Sequence, residues 1–284
     1  MEQINKIIGM TTSEQYYDDV KKVMQQKCER MNEVKGDLNK YDGYDCPLCL
    51  NRGGTYEVRE YDGRYYETFV HCKCQRVRKA IRRLNKSGLK DAVKKYTFDN
   101  FTTAEEWQAK IKDEALDYIE NGYNRWFYLG GQSGAGKSHL CTAIAIKLLK
   151  QGYDTRYMLW RDEAAKLKSL VNDTEEYEKM INEIKNADVL YIDDLFKTGK
   201  ANNGKAQKPT PADINLAFEI LNYRYNKNLP YTIISSECTL SDLIKIDEAV
   251  SGRIAEKALN SGNWCLSIRP DTAKNYRFKG VTEL

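Results

Sequence analysis

The segment GQSGAGKSHL, residues 131–140, constrains the fold of this chain more than any other feature. Four of its residues occupy the fixed positions of the phosphate-binding pattern G-x-x-x-x-G-K-[ST]: Gly131, Gly136, Lys137 and Ser138. The apolar run WFYLGG before the segment is typical of a buried strand, and KSHLCTAIAIKLLKQG after it is typical of a helix. A strand, a glycine-rich loop and a helix in this order predict a nucleotide site at the edge of an α/β sheet.

A loop of this kind binds phosphate because its glycines let backbone N–H groups surround the oxygens, while the positive end of the next helix points at them. We expect Gly134 and His139 to complete the binding loop. Lys137 is expected to reach the β and γ phosphates of ATP, and Ser138 to offer its hydroxyl to Mg²⁺. The predicted cofactors of the loop are therefore ATP and Mg²⁺.

Two carboxylates follow a second apolar strand, in the run ADVLYIDDLF. Because Mg²⁺ prefers hard oxygen ligands, we expect Asp193 to hold the ion, directly or through water. Asp194 is expected near the γ-phosphate, where it polarises the attacking water. A third strand, in YTIISSEC, ends in polar residues that could orient water or sense the γ-phosphate: Ser235, Ser236 and Glu237.

Apolar strands alternate with helices over the C-terminal two thirds of the chain. The runs interpreted as strands are RWFYLGG, TRYMLW, VLYIDD and YTIISS. Helices are expected from Lys137 to Gln151, from Asp162 and from Ala212. Short apolar strands separated by helices indicate a parallel sheet covered on both faces. We therefore expect one α/β domain with a central parallel sheet over residues 96–284.

The N-terminal third has a different character. Residues 12–35 are typical of a mixed, exposed helix that Gly36 can end. Short aromatic and β-branched runs, punctuated by glycine, predict a small hairpin module within residues 41–74. Between Lys73 and Lys95, ten Lys or Arg residues stand against a single acid in a predicted helix.

Four of the eight cysteines form two close pairs: Cys46, Cys49, Cys72 and Cys74. The spacings C-x-x-C and C-x-C offer four thiolates to a closed tetrahedral Zn²⁺ site. A ligand set of three cysteines and His71 stays open, as does the interpretation as ordinary reduced cysteines. A short module with few aliphatic residues would gain its stability from the metal.

Net charge and hydropathy constrain the function of the chain less than its motifs do. The net charge is +4 over 284 residues, so the chain as a whole does not require a nucleic-acid partner. The N-terminus lacks the basic and apolar regions of a secretory signal, and no window approaches the roughly 18 apolar residues of a membrane span. We therefore expect a cytoplasmic protein with reduced thiols and no membrane partner.

Residues 96–284 resemble the lidless AAA+ ATPases of the DnaC and DnaI type, which load the replicative helicase in bacteria and phages and share their ATPase domain with IstB-type transposition helpers. The segments that carry the resemblance are YTFDNF, GGQSGAGKSHL, VLYIDDL, TIISSE, SGRI and NYR. The resemblance implies an AAA+ P-loop fold, ATPase activity, and a nucleotide bound between protomers of a ring or spiral. The cysteine module is similar to the N-terminal zinc module with which DnaI-type loaders contact the hexameric helicase.

The resemblance also implies a role for each matching residue. The assignments are Lys137 and Ser138 to Walker A, Asp193 and Asp194 to Walker B, Ser236 or Glu237 to sensor 1, Arg277 to sensor 2, and Arg253 to the arginine finger that acts on the neighbouring subunit's γ-phosphate. Only 31 residues follow Arg253, as in relatives without a helical lid. The predicted segments are an N-terminal helix over 1–40, a zinc-binding module over 41–75, a basic linker helix over 76–95, and the ATPase domain over 96–284.

A helicase loader must hold single-stranded DNA, whose backbone attracts cations. The candidates are the basic run from Lys73 to Lys95 and the tract KTGKANNGKAQKPTP, residues 197–211, which is favoured because it directly follows Walker B. Its predicted DNA contacts are Lys197, Lys200, Lys205 and Lys208. A solvated loop is the alternative for the tract, and a solvated linker helix is the alternative for the basic run.

Two residues depart from the wider class, and they keep other functions open. Asp194 stands where many relatives have glutamate, and Glu237 stands where a sensor asparagine is common, so slow hydrolysis stimulated by DNA or a partner is expected. A transposition regulator that assembles on duplex DNA is one alternative function. A nucleotide-gated adaptor with negligible hydrolysis is another, whereas a small-molecule kinase fits the late Arg253 less well.

Overall fold

The computed structural model describes residues 13–86, 95–198 and 207–278. The chain divides into two compact units, one within residues 1–79 and one within residues 80–284. This division is coarser than the four segments expected from the sequence, which stay a prediction. In the described part of the chain every helix is too short or too polar to span a lipid bilayer.

The first unit is built around a β-hairpin. Its elements, with the helix that follows, are α1 (Ser13–Glu33), α2 (Asn39–Asp42), β1 (Gly54–Tyr61), β2 (Arg64–His71) and α3 (Cys74–Lys86). The strands pair antiparallel, with Tyr61 opposite Arg64. Asp62 and Gly63 both have positive φ, which is the geometry that a two-residue Asp-Gly turn gives to a tight hairpin.

Helix α1 contacts both strands of the hairpin. The Asn32 side chain donates to the Tyr56 carbonyl at 2.9 Å and accepts from the Tyr56 N–H at 2.9 Å, so it pairs with the backbone of β1 as another strand would. Among the α1 side chains that the structure describes, Cys28 is buried. The remaining fully buried apolar groups of this unit are dominated by cysteine sulfurs, which leaves it a small aliphatic core.

The second unit contains one parallel sheet with helices on both faces. Its strands are β3 (Arg125–Gly131), β4 (Thr155–Leu159), β5 (Val189–Asp193), β6 (Tyr231–Ser235) and β7 (Cys265–Ile268), in the order β4-β5-β6-β3-β7. Its further helices are α4 (Glu106–Asn121), α5 (Lys137–Lys150), α6 (Trp160–Ser169), α7 (Thr174–Lys185), α8 (Pro211–Lys227), α9 (Leu240–Ile246) and α10 (Glu248–Leu259). The predicted α/β fold with a central parallel sheet is confirmed.

Alternate side chains of each strand enter opposite faces of the sheet. In β3, Phe127 and Leu129 join the core under α4 and α5, whereas Trp126 and Tyr128 join the core under the helices from α6 to α10. The strand is buried on both faces, which explains why its sequence is continuously apolar. The sequence did not predict α4, β7 or α7, and α6 begins at Trp160 rather than at Asp162.

The parallel register brings the functional motifs to one edge. Leu129 of β3 pairs with Ser235 of β6, and Ile192 of β5 pairs with Ile234. The carboxyl ends of all three strands therefore meet, as is usual for ligand sites in such sheets. Strand β7 supports the loop after β3, because Gln132 N–H donates to the Ile268 carbonyl at 3.0 Å. A side chain at Gly131, where φ is +99°, would collide with that same carbonyl.

Candidate nucleotide site and candidate metal centre

The loop between β3 and α5 has the backbone geometry of a phosphate cradle. Gly134 and Gly136 both have positive φ, of +72° and +85°. A Cβ built on Gly134 would lie 1.9 Å from Asn275 Oδ1, so a side chain here would have to displace Asn275 and would adopt a strained backbone conformation. The Tyr276 N–H donates to the Gly134 carbonyl at 3.0 Å and fixes the loop from outside. The first turn of α5 then begins at Lys137 with its unpaired N–H groups at the loop.

A cavity of about 460 Å³ opens at this loop. Its walls come from the phosphate-loop residues between Ser133 and His139 and from the acids that follow β5 and β6. The chain segments before α4 and after β7 complete the lining. Cavities of roughly 300–1,000 Å³ hold small organic ligands. The volume and the cradle therefore fit a nucleotide.

Lys137 is almost fully buried, with 6% of its surface exposed. Its Nζ donates to the carbonyls of Gly131, at 2.9 Å, and Gln132, at 2.7 Å. Burial lowers the pKa of Lys137, because the ammonium group loses hydration, and the nearby Glu237 and Asp194 counteract that effect. The structure thus places Lys137 inside the loop, and its contact with the phosphates stays a prediction.

Asp193 ends β5 and is 8% exposed. Ser138 Oγ and the Tyr191 hydroxyl donate to Asp193 Oδ1 at 2.9 and 2.8 Å, and Ser235 Oγ donates to the same oxygen. The Tyr157 hydroxyl donates to Oδ2 at 3.0 Å. Burial, followed by the charge of Asp193, raises the pKa of both tyrosines, so they remain protonated donors.

The oxygens of Ser138 and Asp193 fit a magnesium ion. An octahedral Mg²⁺ with Mg–O distances of about 2.1 Å separates neighbouring ligand oxygens by about 3.0 Å. The observed separation between Ser138 Oγ and Asp193 Oδ1 is 2.9 Å. Both are hard oxygen donors; Ser138 lines the cavity and Asp193 lies directly behind it, so they could hold the ion beside a bound triphosphate.

Asp194, Lys197 and Glu237 form an ion-pair cluster in the cavity wall. Lys197 Nζ lies 2.9 Å from Asp194 Oδ2 and 3.0 Å from Glu237 Oε1. Ser133 Oγ donates to Glu237 Oε1 at 3.0 Å and joins the cluster to the phosphate loop. Burial works against the charged forms, but the mutual bonds outweigh it, so the pKa of Lys197 is raised and that of Glu237 is lowered. Lys197 and Glu237 are therefore both charged near neutral pH.

Of the two candidates for sensor 1, Glu237 is the one that lines the cavity. Ser236 is fully buried, and its Oγ donates to the Leu195 carbonyl at 2.7 Å and accepts from the Cys238 N–H. Ser236 therefore fixes the turn after β6, and its hydroxyl is engaged within the protein.

Three further residues that line the cavity were not predicted as site residues from the sequence: Lys95, Tyr96 and Tyr276. The Tyr96 and Phe101 rings lie 5.0 and 5.3 Å from the His139 ring. Burial lowers the pKa of His139, so its ring is neutral, and its Nε2–H donates to the Thr97 carbonyl at 2.8 Å. The aromatic residues of YTFDNF, at the start of the predicted ATPase domain, were the available signal.

The two predicted arginines lie in different places. Arg277 lines the cavity, and its role as sensor 2 stays a prediction. Arg253 lies on α10 and is not among the residues that line the cavity of its own chain. Its guanidinium stacks 4.6 Å from the Phe218 ring, and its Nε donates to Asn222 Oδ1 at 3.1 Å. Its predicted role on a neighbouring subunit stays a prediction.

The outcome also differs among the four lysines that were predicted to contact DNA. Lys197 lies in the nucleotide cavity, paired with two acids, rather than on an open surface. Lys208 is exposed. Lys200 and Lys205 lie outside the described residues.

The four paired cysteines converge in the first unit. Their Sγ atoms all lie within 4.8 Å of one another, with 3.8 Å between Cys46 and Cys72 and 3.6 Å between Cys49 and Cys74. Tetrahedral Zn²⁺ with Zn–S bonds of about 2.3 Å separates its sulfurs by about 3.8 Å. The donor set and its spacing therefore fit a structural zinc ion. His71 is exposed, packs against Phe69, and is not part of this cluster.

A polar layer holds the cysteine turn. The Cys46 N–H donates to Asn51 Oδ1 at 2.8 Å, and the buried Arg78 donates to Asn51 Oδ1 at 2.8 Å and to Asp42 Oδ1 at 2.6 Å. Burial raises the pKa of the Cys46 thiol, but the backbone N–H groups of Cys49 and Leu48 more than offset this and bring it to about 7. The turn thus favours a thiolate at Cys46, which is the form that a metal binds.

Comparisons with known proteins agree with this site. The family model for the IstB-like ATP binding protein matches residues 68–250. Phage-like element PBSX protein XkdC of Bacillus subtilis strain 168 is 36% identical over 248 residues, which cover 84% of this chain and 88% of that protein. Replicative helicase loader DnaC of Escherichia coli K12 is 29% identical over 123 residues, which cover 42% of this chain and 50% of that protein.

A solved structure gives the same fold. The crystal structure of the DnaC helicase loader matches with a TM-score of 0.50 at 21% identity, over 63% of this chain and 99% of that chain. The family resemblance predicted from the sequence is thereby confirmed. The chain belongs to the IstB-like ATP binding protein family and contains an AAA+ ATPase domain of the IstB and DnaC type.

Proposed function

We propose that this protein is an ATP-dependent loader of the hexameric replicative helicase onto single-stranded DNA, in bacterial or phage replication. The observation that carries the proposal is its 29% identity over 123 residues to the replicative helicase loader DnaC. The relationship to a protein of a phage-like element over 84% of the chain supports a role in phage-type replication.

The proposed reaction is the hydrolysis of ATP to ADP and phosphate. Loop N–H groups and Lys137 bind the phosphates, and Ser138 and Asp193 hold Mg²⁺, which when bound neutralises phosphate charge. Asp194 polarises the attacking water, and Arg253 of an adjacent protomer stabilises the γ-phosphate. Because the Asp194 carboxylate is engaged in an ion pair with Lys197, turnover is slow until DNA or a partner rearranges this pair.

The cysteine unit supplies the proposed partner contact. Zn²⁺ on Cys46, Cys49, Cys72 and Cys74 stabilises the unit, which binds the helicase. Single-stranded DNA is proposed to contact the tract that contains Lys200, Lys205 and Lys208, while ATP assembles the protomers into a ring or spiral.

The test measures ATP turnover of the protein and of its Lys137→Ala variant, with and without single-stranded DNA and the cognate hexameric helicase. Lys137-dependent turnover that rises with DNA or helicase is the expected result. A protein that hydrolyses ATP and assembles on duplex DNA in preference to single strands would contradict the loader.

Two other functions have an observation in their favour. The description of the matching family as IstB-like favours a regulator of transposition, for which duplex DNA is the expected effector. The Asp194–Lys197 ion pair favours a nucleotide-gated adaptor, for which tight ATP binding without turnover under every condition is expected.

A further inference from the structure

Lys197 was expected at a DNA surface, but its side chain lines the nucleotide cavity. The turn that places it there is well defined. Asp194 and Phe196 both adopt left-handed φ, of +58° and +61°, and the Lys197 N–H closes the turn on the Asp194 carbonyl at 2.9 Å. Phe196 is buried and packs 5.5 Å from the Trp160 ring. The backbone is therefore fixed on both sides of the turn, and Lys197 is directed to the end of β5.

The ammonium group has a defined position relative to the phosphate loop. Glu237 connects the two, since its Oε1 lies 3.0 Å from Lys197 Nζ and accepts from Ser133 Oγ at 3.0 Å. An ammonium group has three N–H donors. Among the described residues its bonds to Asp194 and Glu237 use two donors, which leaves one for a ligand in the cavity.

The position of Lys197 matters because the strand ends around it are acidic. Asp194 and Glu237 line the same cavity, and Asp193 lies behind it, so the strand ends present acids to a multiply charged anion. Glu237 is a charged residue at a position where a neutral sensor residue is common. It would repel the terminal phosphate of ATP unless a cation lay beside the glutamate. Lys197 is the cation that bonds to both acids of the cavity wall.

We propose that Lys197 is a second phosphate-binding lysine of the nucleotide site, which contacts the terminal phosphate of ATP while Asp194 and Glu237 hold its ammonium group in place. This inference rests on the proposed ATP-binding function. It assigns to Lys197 the discrimination between ATP and ADP, because ADP lacks the phosphate that this lysine contacts.

The test compares the affinities of the full chain for the non-hydrolysable analogue AMPPCP and for ADP, both with Mg²⁺. Lys197→Met is expected to weaken AMPPCP binding by roughly tenfold, the effect of losing one charged hydrogen bond, and to change ADP binding by less than about twofold. Lys245→Met is the matched control, because Lys245 also pairs with an aspartate three residues before it but is 79% exposed and outside the cavity. This control is expected to change neither affinity.

A double variant distinguishes direct contact between Lys197 and the phosphate from simple neutralisation of Glu237 by Lys197. If Lys197 contacts the phosphate, Lys197→Met with Glu237→Gln keeps the weak AMPPCP binding of the single variant. Recovery of AMPPCP affinity in the double variant, or an unchanged ratio of affinities in Lys197→Met, would overturn the proposal. Lys197→Gln serves as the second variant if the methionine lowers stability. Should the unaltered protein bind neither nucleotide, the proposed ATP-binding function itself fails, which is a different result from loss of the Lys197 effect alone.

Discussion

The two units of this chain are stabilised by different means. The ATPase unit buries apolar side chains on both faces of a five-stranded sheet, in two clusters that span every strand. The cysteine unit has a two-stranded hairpin, and the buried cluster within it consists of cysteines. Beside that cluster lies the buried pair of Arg78 and Asp42, at 2.6 Å, with both side chains almost fully enclosed.

This difference indicates where the folding free energy of each unit comes from. Burial of apolar surface stabilises the ATPase unit without help from a ligand. A buried ion pair adds little net stability, because desolvation of the two charges offsets their attraction. We therefore expect the cysteine unit to depend for its stability on a metal bound to its thiolates, and the ATPase unit to fold without one.

The largest expected effect is loss of the metal. Cys49 is fully buried in the cluster, and Cys49→Ser removes one of four ligands, so the cysteine unit should lose a binding free energy on the order of 10 kcal/mol and unfold. Zinc content by atomic emission, with hydrogen exchange of the β1 and β2 amides, measures the outcome. Cys28→Ser, a buried cysteine of the same unit outside the cluster, is the control that should keep the metal. If the hairpin amides of zinc-free Cys49→Ser stayed protected from exchange, the inference that the cysteine unit depends on a metal would be contradicted.

A smaller effect is expected from a cavity in the ATPase core. Ile144 of α5 is fully buried under the sheet, so Ile144→Ala should lower the free energy of unfolding of the ATPase unit by about 2–5 kcal/mol. Denaturant unfolding monitored by hydrogen exchange of β3 and β5 measures this loss, while zinc content should stay unchanged. Val171→Ala, at a side chain that is 69% exposed, should cost little. Equal losses for the two variants would argue against an apolar core as the source of stability.

The smallest effect concerns pH. Burial, reinforced by the charge of Lys95, lowers the pKa of His139 below 6.5, although its bond to Thr97 counteracts this. The unfolded chain therefore binds a proton first as the pH falls, so this contribution is complete above pH 6.5 and is lost as the pH falls toward the lowered pKa. His139→Gln, which keeps a donor for Thr97, should make the unfolding free energy of the ATPase unit less sensitive to pH between about 7.5 and about 5.5. An identical pH dependence in both proteins would show that His139 is not the titrating group.

The sequence predicted those parts of the fold that consist of continuous patterns. Strand β3, its glycine loop and α5 were predictable because an apolar run, fixed glycines and a helical run follow one another. Strand β7 was not, since its four residues alternate between buried and exposed and its flanks carry no motif. Helix α4 was also missed, because its mixed composition gives it a modest apolar stripe.

Site residues were predictable where a motif fixes their spacing in the sequence. They were not predictable where tertiary packing decides the direction of a side chain. The positions of Lys137, Ser138 and Asp193 follow from a strand-end geometry that the motif already specifies. Lys197 looked like part of a solvated basic loop, because left-handed φ at Asp194 and Phe196 is not expected of non-glycine residues. Ser236 and Glu237 are neighbours in sequence, and only their bonds show which of them faces the cavity.

The support that β7 gives to the phosphate loop has a consequence for biosynthesis. The loop receives contacts from Ile268, Asn275 and Tyr276, which a ribosome adds long after it has made every residue of the loop itself. A nascent or truncated chain that ends before Ile268 would contain the whole P-loop motif and both strand-end aspartates, yet lack the backbone that holds the loop in shape. We therefore expect a chain truncated before β7 to bind nucleotide more weakly than the full chain, because the backbone that supports its phosphate loop is missing.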